Sequence, residues 1–396
     1  MRKVYADNAG TTAVSKTALD AMLPYLTDRF GNPSGLYSYA EEAKQGVDEA
    51  REKMAKGLGC SASEIYFTGG GSEGDNWAIR CGAELMEKKG RHIITSSIEH
   101  HAVIYLCEYL QKHGWEVTFL PVDGQGRVSP DDLRSAMRED TVLVSIMAAN
   151  NEIGTIEPIK ELCAVAHEGG ALFHTDAVQA AGHIPIDVKD WGVDMLSLAG
   201  HKFRGPKGIG ALYVRKGLRL PPLIWGGGQE RGLRGGTENV PGICGMAAAF
   251  EEAVANMPTL TAQISAMRDN LIAELLRIPY SRLTGDPVNR LPGTASFIFE
   301  CVEGESLILD LNKAGIAAST GSACSSRSLE PSHVLRALGL PHEVVHGSVR
   351  LTVSEFNTME DVDYIIETLP GIVENRRKMS PMWDAAAGKP SDSFKF

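Results

Sequence analysis

Residues 141–177 predict a strand, a helix and a second strand, in the sequence TVLVSIMAANNEIGTIEPIKELCAVAHEGGALFHTDA. Two apolar runs, TVLVSIMAA and ALFHTDA, flank IKELCAVAHEGG, which has helical spacing and ends in glycines. The same alternation of apolar runs and helical patterns extends from about residue 41 to residue 215. It predicts an α/β fold with a mostly parallel sheet covered by helices on both faces. Ligands in such sheets bind outside the carboxyl ends of the strands.

The pattern of the chain changes near Met257. A helical stretch at 259–278 leads into a segment with the strand candidates TASFIFE and GSVRLTV, which predicts a separate α+β domain. The tail from Ser380 to Phe396 is polar and rich in small residues, so we expect it to be poorly ordered.

The composition narrows the class of protein. The 396 residues are 43% hydrophobic, which is enough for a sizeable core. A formal net charge of −11 without a long basic run disfavours nucleic-acid binding, and no apolar run approaches the roughly 20 residues that span a membrane. The seven cysteines are scattered, with no C-x-x-C pair, which disfavours zinc sites. An odd number of cysteines without a signal peptide predicts free thiols, and we expect a cytoplasmic protein.

The first candidate site follows a predicted strand in EIYFTGGGSEGDNWAI, residues 64–79. Gly69 to Gly71 precede Ser72 at a predicted helix start. Glycines let backbone N–H groups turn toward a ligand, and a helix N-terminus with a serine hydroxyl favours an anion. The arrangement fits a phosphate cradle, although no G-K-[ST] follows and it is not a Walker A loop. The alternative is an ordinary N-capped loop.

A lysine and a carboxylate follow two other predicted strands. Lys202 lies in SLAGHKFRGPKGIGALYV, where an amine could form a Schiff base with a carbonyl cofactor; the alternative is a surface lysine. Asp176 lies just past a strand end, where a carboxylate could hold a protonated ring nitrogen, and Gln179 shares that rim. The alternative for Asp176 is an aspartate that caps a turn.

Two histidines and one cysteine complete the candidates. His100 and His101 follow a strand in SSIEHHAV, and one of them could stack on a flat ring and relay protons, although such pairs are more often structural. Cys324 lies among glycine and serine residues in AASTGSACSSRSLEPS, the setting of a reactive thiol rather than a packed one. We interpret the other six cysteines as packing residues.

Ten motifs, in family order along nearly the whole chain, resemble those of cysteine desulfurases, in the class V aminotransferase group of fold-type I pyridoxal-phosphate enzymes. They are DNAGTT (7–12), FGNPS (30–34), EHHA (99–102), NNEIG (150–154), HTDAVQ (174–179), GHKFRGPKG (200–208), GGGQERGLRGGT (226–237), STGSACSS (319–326), SLEPSHVLRALG (328–339) and SVRLT (348–352). The resemblance implies a large domain at 15–256 with a seven-stranded type of sheet, and a small α+β domain made of residues 1–14 and 257–396. It also implies pyridoxal 5'-phosphate as cofactor, L-cysteine as substrate and a homodimer.

The resemblance assigns roles by position. Lys202 would form the Schiff base and later take the Cα proton, Asp176 would pair with the pyridine nitrogen, and His100 would stack on the ring. Cys324 would accept the sulfur as a persulfide, and could transiently share an iron–sulfur cluster with a scaffold protein. The other implied contacts are Gly71, Ser72, Gly200, His201 and the second subunit's Thr237 at the cofactor and its phosphate, Gln179 at its phenolic oxygen, and Asn151 and Arg350 at the substrate carboxylate, with Asn151 also touching the cofactor.

Three features depart from the family pattern. Ala199 stands where many relatives have serine, which removes one phosphate hydroxyl. The phosphate loop is richer in glycine, and Ser72 stands where threonine is usual. Tyr37 stands where a histidine is common. These departures bear on cofactor affinity and leave the catalytic positions intact.

The implied function is a desulfurase that releases L-alanine and passes sulfur from Cys324 to an iron–sulfur scaffold or a tRNA-thiolation acceptor. One alternative is a selenocysteine lyase or another β-eliminating enzyme of the same fold, which would depend less on Cys324. A second alternative is a catalytically reduced sulfur-relay protein, against which Lys202 and Asp176 argue. We expect no direct nucleic-acid or membrane partner and no resident metal ion.

Overall fold

The structure, a computed structural model, describes residues 2–320 and 331–391. Its strands are β1 (Val4–Tyr5), β2 (Ile65–Thr68), β3 (His92–Ser96), β4 (Glu116–Leu120), β5 (Thr141–Ser145), β6 (Leu172–Asp176), β7 (Met195–Ala199), β8 (Gly210–Val214), β9 (Ser281–Leu283), β10 (Thr294–Phe299), β11 (Ile316–Ala317), β12 (Ser348–Thr352), β13 (Trp383–Asp384) and β14 (Lys389–Pro390). Its helices are α1 (Lys16–Thr27), α2 (Ser38–Leu58), α3 (Gly71–Asn76), α4 (Gly82–Met86), α5 (His101–Gln111), α6 (Pro130–Ala136), α7 (Ile159–Glu168), α8 (Val188–Trp191), α9 (Val240–Leu275), α10 (Gly304–Lys313), α11 (His333–Ala337), α12 (His342–Val345) and α13 (Met359–Met379).

A seven-stranded sheet forms the centre of the fold, in the order β2-β8-β7-β6-β5-β3-β4. β3, β4, β5, β6 and β7 pair in parallel, whereas β8 runs antiparallel to both β2 and β7. β3 and β5 to β8 are buried along their whole length, as expected for strands covered by helices on both faces. The predicted α/β fold with a mostly parallel sheet is therefore confirmed.

A smaller antiparallel sheet, β12-β10-β9, lies in the C-terminal part of the chain. β1 pairs in parallel with β11, so the N-terminus packs with this part as well. Two separate apolar cores cover the two faces of the large sheet, and another core lies beneath the small sheet. α9 joins one core of the large sheet to the core of the small sheet, because Ile243 and Phe250 pack in the former while Leu271 and Leu275 pack in the latter.

Two local expectations were wrong. The helix expected at 259–278 begins at Val240, since burial in the large core extends it across Pro258. The tail expected to lack order forms a β13–β14 hairpin, in which Trp383 packs edge-on against Tyr280, with ring centroids 5.5 Å apart. A single packed aromatic residue thus anchors a segment that is polar by composition, while residues 392–396 lie outside the described residues. None of the described helices is long and apolar enough to cross a membrane.

Candidate active site

An open cleft lies at the carboxyl ends of β2, β3, β5, β6 and β7, and encloses about 1070 Å³ of empty space continuous with solvent. This is the edge of the sheet at which a ligand was expected. Gly200 and Thr237 do not line the cleft of their own chain, and Cys324 lies outside the described residues. The residues singled out from the sequence that do line it are Gly71, Ser72, His100, His101, Asn151, Asp176, Gln179, Ala199, His201, Lys202 and Arg350.

The end of the cleft at α3 has the features of an anion site. A Cβ atom on Gly71 would lie 2.5 Å from Val178 Cγ2, so only glycine lets the helix start this close to the end of β6. Glu73 holds the preceding loop in place by accepting from the Gly69 N–H at 2.9 Å, and it also pairs with Arg234 at 2.9 Å. Ser72 lies in the first turn of α3, where backbone N–H groups lack acceptors within the helix. The side chain of Ser72 and these N–H groups suit a phosphate.

The turn after β7 supplies another part of this end. His201 Nδ1 lies 3.0 Å from Thr11 Oγ1, and burial is the main cause that lowers the pKa of His201 to about 4. The imidazole is therefore a neutral hydrogen-bonding group at physiological pH. Gly200 is a turn residue, since its carbonyl accepts from the N–H of Gly205 at 2.8 Å. Thr237 is exposed on the surface of the chain.

Lys202 reaches across the cleft to the N-terminal part of the chain. Its Nζ donates to the carbonyl oxygens of Ala9 at 2.6 Å and Gly10 at 2.9 Å. Gln179 Nε2 donates to the same Ala9 oxygen at 3.0 Å. These N-terminal carbonyls, for which the sequence predicted no role, hold two of the predicted site residues.

Two buried carboxyl groups, Asp176 and Asp75, line the cleft together. Asp176 accepts from the Val178 N–H at 2.8 Å, and burial raises its pKa to about 6. Asp75 Oδ1 lacks a hydrogen-bond partner among the described residues, and burial, followed by repulsion from Asp176, raises the pKa of Asp75 well above its usual value. A cationic ring N–H beside Asp176 would stabilise the ionised form of its carboxyl group in this buried setting.

Glu99, which was not predicted to be a site residue, is a third buried acid in the cleft. Its Oε1 accepts from Ser96 Oγ at 2.6 Å and from the Met147 N–H at 3.0 Å. Its Oε2 has no partner within the described parts of the chain, and burial raises the pKa of Glu99 to about 8. The signal was visible in SSIEHHA, where an acid lies three residues after the end of the buried strand β3 and immediately before a candidate histidine.

His100 is the N-cap of α5 and faces the cleft. Its Nδ1 accepts from the Ala102 N–H at 3.2 Å, so the proton of the neutral ring sits on Nε2. Burial, and then the charge of Lys202, lower the pKa of His100 to about 4. The next residue, His101, packs against His333, with ring centroids 4.7 Å apart, and both rings also line the cleft.

Arg350 lies on β12 and is only 2% exposed. Its Nη1 donates to the backbone carbonyl of Asn151 at 2.7 Å, and its Nη2 donates to Asp7 Oδ1 at 2.7 Å. Its Nε has no partner among residues 2–320 and 331–391. Asn151 thus orients the guanidinium through its main chain, a contribution that its residue type did not indicate.

The six described cysteines behave as the packing residues that the sequence predicted. Cys81, Cys107, Cys163, Cys244 and Cys301 are buried, and Cys60 is half-buried. Burial raises the thiol pKa of Cys60, Cys81, Cys107 and Cys163 to about 12, so these thiols stay protonated. A reactive thiolate is disfavoured at each of these four positions.

The groups in the cleft fit pyridoxal phosphate, the cofactor that the motifs imply. The amine of Lys202 can bind an aldehyde, and the buried carboxyl of Asp176 can bind a ring nitrogen that carries a proton. The start of α3 at Ser72 suits the phosphate, and the neutral ring of His100 suits a flat aromatic surface. No cluster of metal-binding side chains occurs in the described ranges.

Comparisons with known proteins show which family the chain belongs to. The family model described as "Aminotransferase class-V" matches residues 4–365. The chain is 56% identical over 381 residues to the cysteine desulfurase IscS of Methanosarcina thermophila, covering 96% of this chain and 94% of that protein. It is 52% identical over 386 residues to the cysteine desulfurase IscS of Clostridium botulinum, covering 97% of each. A solved NifS-like protein is similar with a TM-score of 0.89 and 39% identity, over 94% of this chain and 100% of that one. The solved SspA in complex with cysteine gives a TM-score of 0.78 and 40% identity, over 90% and 100% of the two chains.

Proposed function

This chain belongs to the aminotransferase class-V family as a pyridoxal-phosphate-dependent cysteine desulfurase, and we propose that the cleft holding Lys202, Asp176 and Arg350 is where it removes sulfur from L-cysteine. One observation carries the proposal: an amine, a buried carboxyl and a buried guanidinium from distant parts of the chain line one cleft. These are the groups needed to bind an aldehyde cofactor, its ring nitrogen and an amino-acid carboxylate.

The large sheet supplies the residues that move protons. Pyridoxal phosphate, when bound, supplies an electron sink conjugated to the Cα atom of the substrate. Asp176 keeps a proton on the ring nitrogen, because a carboxylate in this buried position gains a partner of opposite charge. Lys202 would hold the aldehyde carbon of the cofactor, and its amine would take the proton from the Cα atom of the substrate.

His100 would stack on the cofactor ring as a neutral imidazole. Its lowered pKa of about 4 keeps it uncharged beside Lys202 at physiological pH, so the two groups do not repel each other. Because Nδ1 is occupied by the Ala102 N–H, the Nε2–H is the group that His100 offers to the cleft. The ring therefore donates a hydrogen bond rather than acting first as a base.

Arg350 binds the carboxylate of the substrate. Its unpartnered Nε and the remaining N–H groups of its terminal nitrogens give a planar set of donors for a carboxylate. The Asn151 carbonyl fixes the plane of the guanidinium before the substrate arrives.

Cys324 receives the sulfur. Its thiolate attacks the sulfur of the substrate, so that an S–S bond forms as the Cβ–S bond breaks, and protonation of Cβ gives L-alanine. We propose that the persulfide then passes to an iron–sulfur scaffold or a tRNA-thiolation acceptor. The enzyme works as a homodimer in which the partner copy's Thr237 loop completes the phosphate site; the exposure of Trp225, 82% on the same loop, supports an interface there.

The test combines trapping with turnover. The purified protein, loaded with pyridoxal phosphate, should convert L-cysteine to L-alanine and, with a small thiol present, release sulfide. Borohydride reduction should fix the cofactor on Lys202, as identified by peptide mass spectrometry. Lys202→Ala should lose the visible absorption of the bound cofactor, whereas Lys216→Ala, at an exposed position after β8, should keep it. Cofactor trapped on a different lysine in the wild type would show that the cleft is assigned wrongly.

A further inference from the structure

The N-terminal segment, residues 7–12, crosses the cleft and binds groups on both sides of it. Lys202 Nζ donates to the Ala9 carbonyl at 2.6 Å on one side. Arg350 Nη2 donates to Asp7 Oδ1 at 2.7 Å on the other. Asp7 has no role in the proposed reaction. Its carboxylate nevertheless pairs with the guanidinium of Arg350, the group that must bind the substrate carboxylate.

The guanidinium of Arg350 uses only part of its hydrogen-bonding capacity within the described residues. Nη1 is bound to the Asn151 carbonyl and Nη2 to Asp7, while Nε has no partner within the described residues. Buried N–H groups are nearly always hydrogen-bonded, so an unpartnered one on a cleft wall indicates a ligand. Asp7 therefore presents one carboxylate to a guanidinium that has room for another.

The backbone around Asp7 holds this carboxylate in place. Asp7 forms a parallel β-bridge with Thr352, and the Ala9 N–H donates to Thr352 Oγ1 at 2.9 Å. Arg350 is on the same strand as Thr352, so Asp7 cannot move far from the guanidinium. The carboxylate also lies against Gly10, where an added Cβ would come within 2.5 Å of Asp7 Oδ2. A fixed anion at this position needs no side-chain rearrangement to pair with Arg350.

We propose that Asp7 is a specificity-determining residue that lowers the affinity of Arg350 for carboxylates. This inference rests on the proposed function, in which Arg350 binds the substrate carboxylate. An incoming carboxylate has either to share the guanidinium with Asp7 or to displace it, and both cost affinity because like charges repel in a partly buried site. L-Alanine carries the same carboxylate as L-cysteine, so weak binding at this point lets the product leave and keeps other small carboxylates from blocking the cleft.

The test variant is Asp7→Asn, which keeps an oxygen that can accept from Arg350 but removes the charge. Its cofactor-loaded form should bind propionate about three- to tenfold more tightly than the wild type, measured by calorimetry at constant ionic strength. Propionate is suitable because it has no amino group to react with the cofactor. Binding of neutral propionamide should not change. Asp20→Asn, which removes the same charge from an exposed pair with Lys16, is the matched control and should bind propionate like the wild type.

Kinetics give an independent measurement. Asp7→Asn should lower the KM for L-cysteine by a similar factor and should make L-alanine a stronger competitive inhibitor, without raising kcat. Unchanged or weaker propionate binding by the folded, loaded variant would overturn the role of Asp7. If Asp7→Asn does not fold, Asp7→Ser serves for the same measurement, and failure of both to fold would show that the segment is structural instead.

Arg350→Ala separates this inference from the proposed function. If Arg350→Ala binds propionate as well as the wild type does, the substrate role of Arg350 is wrong. If Arg350→Ala loses propionate binding while Asp7→Asn shows no gain, only the role of Asp7 is wrong.

Discussion

Replacing Glu99 with glutamine is expected to stabilise the cofactor-free protein in alkaline solution and to leave its stability in acid unchanged. Glu99 is fully buried, and burial raises its pKa from 4.5 to about 8 in the folded state. Below pH 4.5 the carboxyl is protonated in both the folded and the unfolded chain. As the pH rises toward 8, the unfolded chain gains by ionising and the folded chain does not, so the wild type loses stability across this window.

The size of the effect follows from the shift in pKa. At about 1.36 kcal/mol per pKa unit, a rise from 4.5 to about 8 corresponds to a loss of about 5 kcal/mol above pH 8. Glutamine removes this loss, because its amide has no proton to lose. Its oxygen can still accept from Ser96 Oγ and the Met147 N–H, so the hydrogen bonds that hold the side chain remain. Near pH 5 the expected difference is below about 1 kcal/mol.

Urea unfolding near pH 5, 7 and 9 measures the difference directly. The midpoint for Glu99→Gln should exceed that of the wild type by an amount that grows with pH, with unchanged m-values. Glu161→Gln, at an exposed position in the first turn of α7, controls for the loss of one negative charge. A Glu99→Gln effect that is constant over this pH range would mean that Glu99 is ionised in the folded protein and that burial does not raise its pKa.

Three further outcomes are expected. Cys324→Ala should load the cofactor and bind L-cysteine but form little L-alanine. The control Cys60→Ala, which removes a packed thiol, should keep normal turnover. Near-normal turnover by Cys324→Ala would favour the selenocysteine-lyase alternative. Thr237→Ala should lose pyridoxal phosphate faster than the wild type on dialysis, and light scattering of the wild type should show a dimer. A wild-type monomer that retains full cofactor would contradict a shared phosphate site. Ala199→Ser should lose the cofactor more slowly, because the added hydroxyl would lie at the phosphate end of the cleft. Ala199 lines the cleft, and its Cβ is 3.7 Å from where a Cβ on Gly71 would lie. Faster loss would show that alanine is there for packing.

The large sheet could be predicted because most of its strands are recognisable from their local sequence alone. β3, β5 and β6 are short, fully buried apolar runs separated by helical patterns, and each ends in polar residues. The carboxyl ends of parallel strands meet at one edge, so His100 and Asp176 could be placed together before any contact was known. The reversed direction of β8 is not encoded in its five residues, since GALYV would suit either orientation.

The N-terminal segment could not be predicted because its contacts are remote in sequence. The Ala9–Lys202 hydrogen bond spans 193 positions, and the Asp7–Arg350 pair spans 343. No local pattern in DNAGTT indicates either contact. The buried acids were missed for a different reason: glutamate is rarely buried, so Glu99 beside a histidine is more readily interpreted as solvent-exposed.

The segment that carries Cys324 is attached at both ends to the wall that binds the substrate carboxylate. Ser319 exchanges backbone hydrogen bonds with Arg350, at 2.7 and 3.2 Å. Beyond the segment, Ser332 Oγ donates to Glu152, the residue that follows Asn151. The first anchor therefore lies beside β12 of the small sheet, next to the guanidinium, whereas the second is held by the loop after β5 of the large sheet, the sheet that also carries Lys202. Because the hydrogen bond from Arg350 to the Asn151 carbonyl joins these two walls, a shift of β12 relative to the large sheet would strain that bond and change the distance between the two anchors.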